Sequence, residues 1–250
     1  MNMKSNNQLE LFGLHDYFLD FVKLNNQNKL PNKILLSGKK GIGKCTLAYH
    51  LVNYILSNGE DYSYDLKNFR INPENKSFKL VNNRSNPNLY LIDILSDKKS
   101  IDIKQIRDLI AYFNKSSFNE QPRFVLIDNI EFLNINSINA LLKILEEPNF
   151  GIYFILINNS SQLLPTLKSR CLDFKIYLTN KSCFKIANKL IGQNIKEIIK
   201  DDLIHYYNTP GNLYDIFNLS LEYDLKLSEL SLKKLLKQLI NKNYYKKEIK

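Results

Sequence analysis

The segment Gly38 to Lys44, GKKGIGK, constrains this chain more than any other stretch. It fits the pattern GxxxxGK and lies between a short apolar run, Lys33 to Ser37 (KILLS), and a helical periodicity from Lys44 to Leu56. A buried strand, a glycine-rich turn and a helix in that order form a cradle for phosphate. The glycines let backbone N–H groups turn inward, the helix start adds its dipole, and the Lys44 ammonium reaches the outer phosphates. Nucleotide binding is therefore expected around Gly38, Gly41, Gly43, Lys44, Cys45 and Thr46. The plain alternative is a glycine-rich strand-to-helix turn with no ligand.

The rest of the chain continues the alternation. Leu89–Leu95, Arg123–Asp128, Ile152–Ile157 and Phe174–Tyr177 read as strands, and Asp102–Phe113 and Asn136–Glu147 as helices, the second stopped by Pro148. Apolar strands separated by helices rather than hairpin turns specify a parallel sheet covered on both faces, an α/β fold. Ser57 to Pro87 is polar and Asn-rich, without a sustained period. After about Thr179 only helical patterns follow, with a break at Thr209, Pro210 and Gly211. The expected domains are an α/β domain over 1–178 and a small helical domain over 179–250, with the tail NKNYYKKEIK frayed.

Composition narrows the class. With 44% hydrophobic and 24% charged residues the chain can bury a core, and no apolar stretch approaches the length of a membrane span or a signal peptide. A soluble, cytoplasmic protein with no membrane partner is expected. Three cysteines, none in a CxxC pair, indicate neither a disulfide framework nor a zinc site. The formal charge of +10 comes almost wholly from lysine, since only five of the 35 basic residues are arginine, and it weighs only lightly toward a nucleic-acid partner.

Two positions argue against hydrolysis. Where the phosphate-loop pattern asks for a hydroxyl to hold magnesium, this chain has Cys45, a soft thiol and a poor ligand for a hard cation. Thr46 lies about 100° further round the helix and does not replace it. Asp128 ends a buried strand, the place of the magnesium-side carboxylate, with a cap on the following loop as the plain alternative. The next residue is Asn129, and an amide cannot serve as a base.

Four stretches carry a family resemblance: GKKGIGKCT (38–46), IDNIEFLNINSINALLKILEEP (127–148), the strand from Ile152 to Asn158, and LLPTLKSRC (163–171). Together they resemble the clamp-loader subunits of the AAA+ class, most specifically the delta-prime subunits of bacterial DNA polymerase III. The resemblance runs from about Leu11 to about Leu219 and implies an AAA+ phosphate-loop domain followed by a helical lid. It implies that Arg170 is an arginine finger reaching the nucleotide of a neighbouring ATPase, and that Asn158 stands at the family's first sensor. Arg170 with a local partner, or Asn158 as a loop opener, are the ordinary structural alternatives. At the second sensor the arginine of the active ATPases is replaced by Gly211.

On this resemblance the chain helps load the sliding clamp onto primed DNA, with gamma/tau and delta subunits as partners and DNA met through the assembly. It allows ATP as ligand, while Cys45, Asn129 and Gly211 argue against magnesium-dependent turnover by the chain itself. The family's four-cysteine zinc module has no counterpart, so zinc is not expected. With only about thirty residues after Leu219, the collar domain is expected to be absent or rudimentary. An active motor subunit of the gamma/tau kind is the alternative. A small-molecule phosphotransferase is a distant third, since it would need more arginines around the phosphates.

Overall fold

The computed structural model describes residues 5–95, 98–113, 119–146, 151–160, 164–200, 203–204 and 208–242. The chain divides into two compact units, one of Asn2–Lys39 with Gly43–Ile176, the other of Lys40–Ile42 with Tyr177–Lys250.

The larger unit runs α1 (His15–Asn26), β1 (Lys33–Ser37), α2 (Lys44–Leu56), α3 (Lys76–Asn82), β2 (Leu89–Ile92), α4 (Ile103–Phe113), β3 (Arg123–Ile127), α5 (Ile135–Glu146), β4 (Ile152–Asn158), α6 (Pro165–Lys168) and β5 (Leu172–Lys175). The five strands form one parallel sheet in the order β2-β3-β4-β1-β5. The strands are short and almost wholly apolar because both faces are covered. On one face Leu35, Val125, Phe154 and Leu156 pack with Ile106 and Leu109 of α4 and Leu141 and Leu145 of α5. Phe18 and Phe21 of α1 and Leu47 and Leu51 of α2 are also buried, and the Phe21 ring lies 4.7 Å from that of Phe174.

This strand order confirms the expected α/β architecture. Because β1 pairs with β4 and β5, Ser37 lies in register with Asn158, and Ile127 with Leu156. The loops after β1, β3 and β4 therefore open side by side at the carboxyl end of the sheet, where ligands of open α/β sheets bind. The strand limits differ most from the sequence reading at β2 and β5. β2 stops at Ile92 because pairing with β3 ends there, and β5 begins at Leu172, which pairs with Ile34 although it is 55% exposed at the sheet edge. The stop at Pro148 and the tail from 243 lie outside the described residues.

The polar stretch 57–87 has more order than its composition suggests. Asn75 caps α3 by accepting from Phe78 N at 2.7 Å, and the N-terminal segment pairs with the stretch through Leu11 N to Phe69 O (3.0 Å) and Ile71 N to Leu9 O (2.8 Å). His50 of α2 is fully buried beneath this layer. Its Nε2 lies 3.0 Å from Gln8 O and its Nδ1 2.8 Å from the Tyr64 hydroxyl. Nε2–H donating and Nδ1 accepting is the neutral tautomer that satisfies both contacts.

The helical unit contains α7 (Asn180–Ile191), α8 (Ile195–Ile198), α9 (Pro210–Glu222) and α10 (Leu232–Asn241) around Ala187, Ile195, Ile199, Leu213, Leu227 and Leu235. The Thr179 hydroxyl caps α7, Gly192 ends it in the left-handed region (φ 75°), and Thr209 caps α9 with Pro210 as its first residue. Within this unit Gly211 N donates to Gly41 O at 2.8 Å, and a methyl at Gly211 would come within 2.7 Å of Gly41 Cα. Gly211 therefore makes a backbone-to-backbone contact with no room for an arginine. No helix among the described residues is long and apolar enough to cross a membrane.

Candidate nucleotide site

β1 delivers its last residue, Ser37, to a loop whose glycines take backbone angles that other residues avoid: Gly41 has φ 83° and Gly43 φ 93°. Gly43 is the N-cap of α2 and brings no side chain to the helix start, so the first N–H groups of α2 have no side-chain cap. Lys44 is 2% exposed. Its Nζ donates to Gly38 O at 2.8 Å and Lys39 O at 2.7 Å, which holds the ammonium inside the loop. Burial depresses its pKa from 10.5 to about 8, and the carboxylates of Asp128 and Glu131 oppose that fall only in part.

Asp128 leaves the end of β3 next to the loop. Its carboxylate accepts the Asn129 N–H at 2.8 Å, and the Cys45 thiol lies close enough to it to act on its proton equilibrium. Burial, then the neighbouring Asp93, raises the Asp128 pKa. Burial, and then the Asp128 carboxylate, likewise raise that of Cys45 well above the ordinary thiol value, so the sulfur remains protonated. Magnesium would need oxygen ligands here, whereas Cys45 presents a protonated sulfur. Cys45 is therefore a poor ligand for a magnesium ion. The residues present do fit phosphate, through Lys44 and the start of α2.

Asn129 has φ 55°, in the left-handed region that Asn tolerates, and acts as a clip between strand ends. Its Nδ2 donates to Asp93 Oδ1 at 2.8 Å, and its Oδ1 accepts from Asn159 Nδ2 at 2.9 Å. The two clipped residues were not foreseen. Asp93 had a signal in the repeated tripeptide Leu-Ile-Asp, at 91–93 and 126–128, which ends two adjacent strands with a carboxylate. Glu131 was also missed; it lies within electrostatic reach of Lys44 and accepts Asn159 N at 3.1 Å.

Asn158 is 3% exposed and spends its amide locally: Nδ2 donates to Ser160 O at 2.8 Å and Oδ1 accepts Ser160 N at 3.3 Å. The hydrogen bonds of Arg170 go to α5 and α6, with Nη1 donating to Thr166 O at 3.0 Å, Nε to Glu146 Oε1 at 2.9 Å, and Nη2 to the same oxygen. The structure therefore brings Gly38, Lys44, Cys45 and Asp128 together, keeps Asn158 at the adjoining strand end, and pairs Arg170 separately with Glu146. Thr46 follows Cys45 on α2.

Comparison with known proteins agrees with this geometry. The family described as DNA polymerase III, delta subunit, matches residues 15–180. The delta' subunit of DNA polymerase III from Pseudomonas aeruginosa is 33% identical over 140 residues, 56% of this chain and 41% of that protein. The gamma subunit from Buchnera aphidicola subsp. Schizaphis graminum is 32% identical over 207 residues, 80% of this chain and 53% of that one. The delta' subunit from Bacillus subtilis is 30% identical over 148 residues, 58% of this chain and 42% of that one. The chain spans about half the length of these relatives. Among solved structures, a DNA polymerase III gamma-subunit-related protein from Thermotoga maritima superposes with TM-score 0.51 at 21% identity, over 88% of this chain and 66% of that one, a likeness of AAA+ fold. With the family match running from α1 to the first residue of α7, the chain belongs to the DNA polymerase III clamp-loader subunits of the delta-prime kind.

Proposed function

We propose that this chain is a stator subunit of a clamp loader: it holds ATP weakly or statically, hydrolyses it poorly, and donates Arg170 to the nucleotide of a neighbouring gamma/tau-type ATPase. With gamma/tau and delta subunits it would help place the sliding clamp on primed DNA. The observation that carries this reading is the protonated Cys45 thiol, beside Asp128, at the position where a hydrolytic site has a hydroxyl for its magnesium. Asn129, committed as a clip between strand ends, adds to it, since no carboxylate follows Asp128 to activate water.

The Arg170–Glu146 pair is compatible with a finger. The two side chains are 32% and 53% exposed, and an ion pair so open to water contributes only about 0–1 kcal/mol. A guanidinium held that loosely can exchange Glu146 for phosphate oxygens, which its planar fork fits.

The test is steady-state ATP hydrolysis by a reconstituted clamp loader with clamp and primed DNA, beside this chain alone. Arg170→Ala should lower turnover of the assembly by several powers of ten if the finger is delivered in trans. The isolated chain should turn over no ATP. Turnover by the isolated chain, abolished by Lys44→Ala and indifferent to Arg170, would instead make it a motor of the gamma/tau kind.

A further inference from the structure

Arg170 stands at the end of the sheet remote from this chain's own phosphate loop. Leu172, two residues on, pairs with Ile34 near the start of β1, whereas the loop follows Ser37, three residues and about 10 Å further along that strand. What the guanidinium meets there is Glu146, the last residue of α5. That is an unfavourable place for a carboxylate, because the final carbonyls of a helix already carry partial negative charge. Arg170 is the cation paired with it, so the ion pair offsets a charge that the end of α5 would otherwise oppose.

The geometry of the pair suits exchange. Nε and Nη2 both address Oε1, rather than taking one carboxylate oxygen each as a fork-to-fork pair does. Nη1 donates to Thr166 O at 3.0 Å, a carbonyl that also accepts from the Ser169 hydroxyl at 3.1 Å. The guanidinium is thereby held in one orientation by groups of its own chain, while both charged side chains stay open to water. A terminal phosphate offers what this contact does not: more negative charge, and enough oxygens to engage both prongs of the fork.

Resting on the role of Arg170 in trans, we infer that Glu146 is a latch for the finger: it holds the guanidinium in the unengaged chain and yields it to the terminal phosphate of a neighbouring subunit's nucleoside triphosphate. The carboxylate in cis and the phosphate in trans compete for one cation, so engagement is weakened in proportion to the latched fraction. An exposed pair of this kind shifts that competition by at most about fivefold, which a phosphate overcomes and a weaker anion does not. Loss of the terminal phosphate on hydrolysis returns Arg170 to Glu146. Glu146 is thus a positioning residue, acting on the nucleotide only through Arg170.

Phenylglyoxal, which attacks accessible guanidinium groups, tests the latch on the whole chain alone, with peptide mass spectrometry reading each arginine. Glu146→Gln should speed modification of Arg170 by about two- to fivefold, the scale of one exposed ion pair, and leave the exposed Arg84 and Arg107 unchanged. Added salt should bring the wild-type rate at Arg170 toward that of the variant. In a clamp loader reconstituted with gamma/tau-type subunits, clamp and primed DNA, Glu146→Gln should raise turnover at subsaturating ATP by a similar factor, and should change nothing when Arg170 is already alanine. A purely structural Glu146 would alter turnover in both backgrounds. An Arg170 modification rate or a subsaturating turnover indifferent to Glu146→Gln, or an effect on turnover that persists in Arg170→Ala, would overturn the latch and leave the finger in place. Undiminished turnover of the assembly with Arg170→Ala would overturn the finger itself, and the latch with it.

Discussion

Lys44 offers the most direct quantitative test of the phosphate loop, because its buried ammonium has a proton equilibrium that a phosphate must disturb. Burial lowers its pKa from 10.5 to about 8. Phosphate oxygens at the start of α2 would favour the charged amine and carry the pKa back toward its ordinary value. Nucleotide binding should then draw a proton from solution: about 0.1 per site at pH 7, about 0.5 at pH 8 and about 0.9 at pH 9, the fractions unprotonated beforehand. The sign follows from linkage. Binding that takes up protons is favoured by low pH, so affinity should be flat below about pH 7 and fall toward tenfold per unit above about pH 8. Isothermal calorimetry with ATP and EDTA, in two buffers of different ionisation enthalpy at each pH, measures the uptake directly. Lys44→Arg keeps the charge at every pH and should bind with no uptake. Uptake that is flat across this range in the wild type, or unchanged in Lys44→Arg, would refute the assignment of Lys44 as the phosphate-binding cation.

Two further outcomes are expected. Glu146→Gln should release Arg170 while changing stability by less than about 1 kcal/mol in urea unfolding, since the pair is exposed, and should leave the turnover of a reconstituted assembly at or above the wild-type value. His50, whose pKa burial lowers from 6.5 to about 4, binds its proton more weakly folded than unfolded; its contribution is fully present above about pH 6.5 and is lost as pH falls through 4, an effect of roughly 3 kcal/mol. Urea unfolding between pH 4 and 7 should show stability rising with pH over that window, and His50→Asn should remove most of the slope.

Local chemistry was readable from the chain alone. The apolar run KILLS, the glycines that tolerate positive φ, and Lys44 at the helix start define the strand, glycine-rich turn and helix, because the three are contiguous in sequence. The parallel sheet followed from apolar strands separated by helices. Caps such as Thr209 before Pro210 needed only neighbouring residues. The partners of those residues were decided by the tertiary structure. Strand order sets Asp93 beside Asp128 and lets Asn129 reach both Asp93 and Asn159, distances in sequence that no local pattern spans. The pairing of Arg170 with Glu146 and the burial of His50 under an Asn-rich stretch have the same origin. Each depends on which surfaces meet when the sheet is assembled, because the energy of a buried polar group or an ion pair comes from its neighbours in space.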